Sequence, residues 1–168
     1  TVKGFNFEGK IGIPNLFELQ LGYTLQSSLY DRPFEWAENS DLPAQRKMFR
    51  TPDSYGYFTS TWNIAPRFRA SLFGTYTGTM LVQHTFYNAQ TDSTQDAETL
   101  TPDFFDMGLK LAYTFRLSTS VNLELSAGVK NIFNSYQKDL DFGPLKDAGY
   151  VYGPALPRMF FAGLKLTM

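Results

Sequence analysis

The single histidine of this chain, His84, is the residue whose type is best suited to chemistry. It lies in the stretch VQHTFYN, where the sequence predicts that a strand passes into a loop. With a serine and a carboxylate it could act as the base of a hydrolase, and from a loop it could supply an axial contact to haem iron. The chain has no Gly-x-Ser-x-Gly stretch and no cysteine. We therefore predict that it is not an enzyme and that it holds no resident cofactor.

Two acidic stretches offer oxygen atoms to a cation. Asp92, Asp96 and Glu98 lie within residues 91–100, and a mixed-charge stretch covers residues 138–147. Carboxylates at such spacing can bind Ca²⁺, but the glycine and the full ligand ladder of an EF-hand are missing. We predict solvated loops and no metal site. With a formal net charge of -1 and no basic aromatic stripe, the chain is not predicted to bind nucleic acid.

Aromatic side chains in the predicted loops are the better candidates for ligand binding. Large aromatic rings on a rim can stack on a sugar, a macrocycle or a chelate. They can equally pack the loops against each other. The candidates, together with the histidine beside them, are Phe34, Trp36, His84, Phe86, Tyr87, Tyr150 and Tyr152.

The elements that position these residues are strands, because apolar and polar residues alternate with a period of two. The pattern is clearest over residues 17–25, 106–115, 121–130 and 160–168, and no apolar face there carries a charge. It predicts an all-β, antiparallel up-and-down meander of about seven long strands. Short turns are predicted at Ile13–Asn15, Ala65–Arg67 and Leu117–Ser120, and long loops at about 31–52, 84–102 and 133–157.

Prolines mark the points where the long loops return to strands. Proline has no N–H to donate, so it is tolerated at the start of a strand but not inside the hydrogen-bonded ladder. Pro52 and Pro102 stand in the repeated tripeptide Thr-Pro-Asp, and Pro157 precedes the last strand. A second repeat, GLKL, begins at Gly108 and at Gly163; it predicts apolar side chains on one face, Lys on the other, and Gly where the polar face is crowded.

Alternation alone does not decide which face of the sheet meets water. A soluble β-barrel or sandwich binding a small apolar ligand would place Leu109, Leu123 and Leu164 in a dry core. In a membrane barrel the same leucines face lipid. Five alternating apolar residues span roughly 27–30 Å of strand, or roughly 20–23 Å when tilted by about 40°, close to the apolar band of an outer-membrane barrel of about 25 Å. Aromatic residues near strand ends also favour the membrane barrel.

No apolar run is long enough for a transmembrane helix. No signal peptide is present, which predicts a mature or excised chain.

The C-terminal stretches resemble a known family. VKNIFNSYQ (Val129–Gln137) is similar to the Asn-Leu-Phe-Asn/Asp…Tyr motif near the end of TonB-dependent outer-membrane receptors. DAGYVYGPALPRMFFAGLKLTM (Asp147–Met168) resembles the family's terminal segment, a Tyr-Gly-Pro loop followed by Pro-Arg and an amphipathic last strand. One departure is Met168, because the family's barrels usually end in an aromatic residue.

This resemblance implies a function. The chain would be the C-terminal third of a 22-stranded transmembrane β-barrel in the outer membrane of a Gram-negative bacterium, taking up a siderophore, haem, cobalamin or oligosaccharide. Its implied partners are outer-membrane lipid, the plug domain and remaining strands of the same protein, and TonB through an N-terminal part that this chain lacks. The residues expected to line the lumen are Arg67, Arg69, Lys110, Glu124, Lys130 and Lys165. A small outer-membrane enzyme using His84 is a further alternative.

Overall fold

Ten β-strands form the regular structure of the computed structural model, which describes residues 1–37 and 40–168. They are β1 (Val2–Ile13), β2 (Phe17–Phe34), β3 (Gln45–Lys47), β4 (Ser54–Ala65), β5 (Phe68–Thr77), β6 (Leu81–Asn88), β7 (Ser93–Leu100), β8 (Phe104–Arg116), β9 (Asn122–Lys130) and β10 (Met159–Thr167). No helix in these ranges has the length and apolar character needed to cross a membrane. Glu38 and Asn39, part of the predicted 31–52 loop, lie outside the described residues.

Seven long strands form one antiparallel sheet in the order β1-β2-β4-β5-β8-β9-β10. The short strand β3 pairs with the far end of β2, and β6 and β7 form a separate hairpin. Each long strand pairs with the next long strand along the chain, so the predicted all-β, up-and-down meander is confirmed. Strands β1 and β10 are the two edges, and the described residues form an open sheet.

Short turns lie at one end of this sheet and long connections at the other. The turns cover residues 14–16, 66–67 and 117–121, as predicted, and Asn15 supplies the left-handed conformation (φ 62°) in the first of them. The long connections cover residues 35–53, 78–103 and 131–158. Pro52, Pro102 and Pro157 each stand two residues before a strand begins, which confirms their predicted place at the re-entry points.

One face of the sheet is apolar and exposed. The pairing register carries this face across strands: Leu72 lies opposite Leu109, Leu109 opposite Val129, and Val129 opposite Phe160. Phe160 is 81% exposed and Leu164 is 75% exposed. Within the part of the chain that the structure describes, no second layer of strands packs against this face. We call it the apolar face; its large side chains are Phe5, Phe7, Ile11, Ile13, Phe17, Leu19, Leu21, Tyr23, Leu25, Phe58, Trp62, Phe68, Leu72, Tyr76, Phe105, Met107, Leu109, Leu111, Tyr113, Phe115, Leu123, Leu125, Val129, Phe160, Leu164 and Leu166.

The opposite face is polar and carries ion pairs. Glu124 accepts from Arg69 at 2.7 Å and lies 3.9 Å from the Lys110 ammonium. Lys130 and Lys165 share this face by register, as the sequence predicted. Arg67 instead lies in the turn between β4 and β5.

Glycines in the strands make room for aromatic rings of neighbouring strands. A Cβ at Gly56 would lie 2.6 Å from Cδ2 of Tyr23 on the apolar face. On the polar face, a Cβ at Gly108 would overlap the ring of Phe73. The predicted crowding at Gly108 is therefore confirmed, because a side chain at this position would collide with the ring of Phe73.

Two sequence predictions about residues 67–102 are wrong. The looser alternation of residues 67–82 predicts one strand that continues to Val82, but β5 ends at Thr77, and Gly78 donates its N–H to Ser54 O as the chain leaves the sheet. The predicted 84–102 loop is largely the β6–β7 hairpin. Met80 and Val82 are therefore not on the apolar face; they are buried with Tyr150 in a small core beyond the end of the sheet.

Candidate functional site

Three connections meet at the end of the sheet opposite the short turns. We call this assembly the loop cluster; it comprises residues 35–37, 40–53, 78–103 and 131–158. On one face of the β6–β7 hairpin, Glu98 accepts hydrogen bonds from Trp36 Nε1 (3.1 Å) and Gln45 Nε2 (2.6 Å). On the other face, Val82 is fully buried against Tyr150 of the 131–158 connection. The hairpin is thus held between the other two connections.

His84 joins the hairpin to the 131–158 connection. Its ring stacks on Tyr150 with centroids 3.6 Å apart and planes 11° apart, and it lies 5.3 Å from the ring of Phe86. Its Nε2 lies 2.9 Å from Asp141 Oδ2. The predicted position at a strand-to-loop junction is wrong, because His84 lies in the middle of β6 with Ala97 opposite it.

Asp139 is held by two tyrosines. Tyr152 donates its hydroxyl to Oδ1 at 2.6 Å, and Tyr150 donates to Oδ2 at 2.9 Å. Burial alone would raise the pKa of Asp139, but the hydrogen bonds from Tyr152 and Tyr150 outweigh it and lower that pKa. Burial, together with the nearby carboxylate, raises the pKa of both tyrosines, so they stay protonated and act as donors.

The side-chain amide of Gln137 fixes the backbone of the two tyrosines. Its side chain is 2% exposed. Its Nε2 donates to Tyr150 O at 3.0 Å, and its Oε1 accepts from Tyr152 N at 2.9 Å. A buried amide with both ends satisfied constrains the backbone on which the aromatic rings are carried.

An open cleft of about 550 Å³ lies beside Asp139. We call it the Asp139 cleft. It runs between the start of β8 and the beginning of the 131–158 connection. Its walls combine aromatic rings, carboxylates and amides: Pro102, Asp103, Phe104, Phe133, Asn134, Ser135, Tyr136, Gln137, Lys138, Asp139 and Tyr152.

Four of the seven predicted site residues come together. His84, Phe86, Tyr150 and Tyr152 form one chain of contacting rings, with Tyr150 and Tyr152 centroids 5.2 Å apart. Tyr150 is only 3% exposed, so its expected position on an open rim is wrong. Its ring packs the core, and Tyr152 alone of the four lines the Asp139 cleft.

The other three predicted residues lie apart from this group. Trp36 packs edge-on against Phe49 with centroids 6.2 Å apart, which matches the alternative of a ring that packs loops together. Phe34 ends β2 and contacts Tyr30 at 5.0 Å. Tyr87, expected in a loop, lies in β6 and donates its hydroxyl to Asp92 within the same hairpin.

Sequence reasoning missed the residues that orient the rings. Asp139 and Asp141 lie in the 138–147 stretch, which was expected only to keep a loop hydrated. The 91–100 stretch, also expected to be a solvated loop, contains β7. Both tyrosines donate to Asp139, whereas Asp141 binds the His84 ring and Asp147 N, and no local sequence pattern indicates this division.

The arrangement offers little to hydrolytic or metal chemistry. Among the described residues, Asp141 is the one hydrogen-bond partner of the His84 ring, and no hydroxyl nucleophile bonds to it. In the same ranges no group of three or more His, Cys, Asp or Glu side chains is placed to hold a metal ion. Aromatic walls beside a fixed carboxylate are instead suited to binding.

Comparison with known proteins gives no family for this chain. No protein-family model matches the sequence, and no curated protein does so either.

The loop cluster is expected to loosen in acid. Hydrogen bonds from the His84 ring and from Asp147 N lower the pKa of Asp141 below its ordinary 3.8, as the tyrosines lower that of Asp139. A depressed folded-state pKa contributes stability above the unfolded value, and this stability is lost as the pH falls from the ordinary pKa of 3.8 through the lowered one. Hydrogen exchange of residues 132–158 should therefore be slow at pH 6 and faster at pH 3 after correction for intrinsic rates. Asp141→Asn should reduce the difference, and equal protection at both pH values would contradict this account.

Proposed function

We propose that this chain is the C-terminal barrel segment of a TonB-dependent receptor that imports a scarce solute across an outer membrane. The observation that carries the proposal is the apolar face: it is exposed, and it is uncharged over the middle of seven neighbouring strands. Soluble proteins rarely expose a contiguous apolar patch of more than a few hundred Å². A lipid bilayer is the solvent in which such a face is stable.

The dimensions of the sheet support the same proposal. The seven long strands have 9 to 18 residues, longer than the five or six that are usual in soluble sheets. At about 3.3 Å per residue, even nine residues tilted by about 40° cross most of an apolar band of about 25 Å. The short turns lie at one end and the loop cluster at the other, which is the asymmetry of outer-membrane barrels between periplasm and exterior.

The directions of the edge strands support a larger barrel. Strands β1 and β10 both run from the loop cluster towards the turn end, so joining them directly would make a parallel pair. An open sheet edge is not tolerated in lipid, because its backbone N–H and C=O groups would lack hydrogen-bond partners. Closure with every pair antiparallel needs an odd number of further strands between β10 and β1. The proposed 22-stranded barrel supplies fifteen.

The soluble alternative fits the same chain less well. It would bury Leu109, Leu123 and Leu164 in a dry core, but Leu164 is 75% exposed and the other two are only partly buried. It would also need a second layer over the apolar face, which the described residues do not form. The buried side chains cluster instead around Val82 and Tyr150 in the loop cluster.

Cysteine labelling in intact cells tests the proposal, since the chain itself has no cysteine. Single cysteines are introduced at Lys146 in the loop cluster, at Thr119 in a short turn, and at Leu125 on the apolar face. A membrane-impermeant maleimide should label Lys146→Cys in intact cells and Thr119→Cys only after the outer membrane is permeabilised. Leu125→Cys should react only after unfolding.

The unsubstituted protein measures background labelling, and a denatured sample of each variant gives the full signal. Equal labelling of Lys146→Cys and Thr119→Cys in intact cells would contradict the proposed orientation. Rapid labelling of Leu125→Cys in the folded protein would show that the apolar face meets water, and the receptor proposal would then fail.

A further inference from the structure

We infer that the Asp139 cleft binds an organic cation with an apolar body. The inference rests on the proposed function for one thing only, the exposure of the loop cluster to the external medium. It names the class of solute that this part of the receptor would accept, by the charge and the surface that the cleft presents.

Charge is segregated along the strands. The loop cluster carries ten acidic and six basic side chains, whereas the other described residues carry five acidic and nine basic ones. The net charge of the chain, -1, conceals this difference. An acidic end concentrates cations near it and disfavours anions.

Three carboxylates of the loop cluster are positioned by uncharged donors. Asp139 accepts from two tyrosine hydroxyls, Glu98 from an indole and an amide, and Asp96 from the Thr85 hydroxyl. Among the described residues, none of these three carboxylates forms an ion pair with Lys or Arg. Their geometry is therefore fixed while their negative charge stays uncompensated. Fixed groups of one sign favour an opposite charge without further reorganisation.

The walls of the Asp139 cleft select what kind of cation can enter. Aromatic rings of Phe104, Phe133, Tyr136 and Tyr152 line it beside Asp103 and Asp139. The face of an aromatic ring attracts a cation whose centre lies within about 6 Å of the ring centroid. A hydrated metal ion needs several converging oxygen ligands, and rings do not supply them.

Only one basic side chain, Lys138, is among the cleft residues, so the cleft is poorly suited to a phosphate or a carboxylate ligand. An ammonium group near Asp139 would balance the negative charge of the carboxylate, and its apolar substituents would contact the rings of Phe104 and Tyr152. Both oxygens of Asp139 accept from tyrosine hydroxyls, so the attraction acts mainly through the charge of the carboxylate.

A probe pair of equal shape tests the inference. The full protein containing this chain is titrated in detergent with choline and, separately, with 3,3-dimethyl-1-butanol, which replaces the ammonium nitrogen by carbon. Saturation-transfer NMR measures both apparent dissociation constants. Choline should bind at least about tenfold more tightly, because only its quaternary nitrogen is attracted by the faces of the aromatic rings and by the charge of Asp139.

Three variants test this inference, because one should weaken choline binding, one should strengthen it and one should leave it almost unchanged. Asp139→Asn should weaken choline binding about tenfold, and Lys138→Gln should strengthen it several-fold by removing the cleft's own positive charge. Asp92→Asn is the matched control: it removes a carboxylate that also accepts from a tyrosine, Tyr87, but on a hairpin surface outside the cleft. It should change choline affinity less than twofold.

Equal affinity for the two probes would overturn the inference, and so would an unchanged choline affinity in both Asp139→Asn and Lys138→Gln. The two substitutions act in opposite directions, so a general loss of folding cannot imitate the expected result. Cysteine labelling at Lys146, Thr119 and Leu125 reports membrane placement independently. The expected labelling without choline selectivity would reject the cation and keep the receptor proposal, whereas the reverse would reject the receptor alone.

Discussion

Replacing Leu125 with arginine is expected to destabilise the membrane-inserted protein by about 2–4 kcal/mol, the range for a charge at the midplane on the lipid side of a barrel. Leu125 is in the middle of β9, on the apolar face, with Tyr113 opposite it on one side and Leu164 on the other. It is 40% exposed, so arginine would not disturb a packed core. The destabilisation would come from the solvent that meets this face.

Ser126→Arg is the matched control for this prediction. Ser126 is the next residue, points to the polar face, and makes one hydrogen bond with its side chain, to Gly163 O at 3.4 Å. The same side chain is introduced one position along the same strand, so strand propensity and size are held constant. Denaturant unfolding in lipid vesicles measures both variants. If Leu125→Arg unfolds at the same denaturant concentration as Ser126→Arg, or gives a folded protein without detergent, the apolar face does not meet lipid.

The long strands could be predicted because each has one apolar face and one polar face, so apolar and polar residues alternate along it. Residues 17–25 alternate strictly, and in the structure Leu19 and Leu21 take one face while Gln20 takes the other. The prolines at 52, 102 and 157 marked the strand starts because a missing N–H has the same consequence wherever a ladder begins. These signals are local, and the strand pairing follows from them by adjacency.

The β6–β7 hairpin could not be predicted because both of its faces are covered by other connections of the loop cluster, so neither face is consistently apolar or polar. One face packs on the 131–158 connection through Val82 and His84, and the other meets Trp36 and Gln45 through Glu98. Its second strand, STQDAETL, is polar and shows no apolar period. Burial between loops leaves no alternation for the sequence to display.

The site could be predicted by residue type but not by arrangement. Aromatic residues in the loops were identified, and His84, Phe86, Tyr150 and Tyr152 do meet. Which ring is buried depends on Gln137 and Asp139, whose partners are up to 16 residues away along the chain. Contacts of that kind depend on how the connection folds back on itself, and period-two patterning carries no information about them.

Asn131→Ala is expected to release the 131–158 connection from the end of the sheet. Asn131 is 3% exposed and has a left-handed backbone (φ 52°). Its Nδ2 donates to Ser135 O (3.0 Å) and Leu156 O (3.1 Å), and its Oδ1 accepts from Ser135 N (2.8 Å). Loss of three hydrogen bonds at about 0.5–1.5 kcal/mol each, together with left-handed strain of about 1 kcal/mol in alanine, should destabilise this connection by about 2.5–5.5 kcal/mol.

Hydrogen exchange of residues 132–158 measures this release, and Asn134→Ala is its control. Asn134 also has a left-handed backbone (φ 56°), but it is exposed and accepts one hydrogen bond, from Arg158 N at 2.9 Å. Asn134→Ala should destabilise the connection by about 1.5–2.5 kcal/mol by the same reasoning. Similar protection in the two variants would show that the buried amide does not hold the connection.

The consequence of Asn131→Ala should extend to the Asp139 cleft. Asn131 joins the first residues of the connection to Leu156, close to its end, and the segment between them carries Asp139, Tyr150 and Tyr152. Once that closure is lost, the tyrosines no longer hold the carboxylate at a fixed place relative to Phe104. Choline affinity should then fall about as far as in Asp139→Asn, although every residue of the cleft wall is unchanged. An asparagine in the stretch that resembles the receptor family would thus act by fixing the shape of a binding surface that it does not touch.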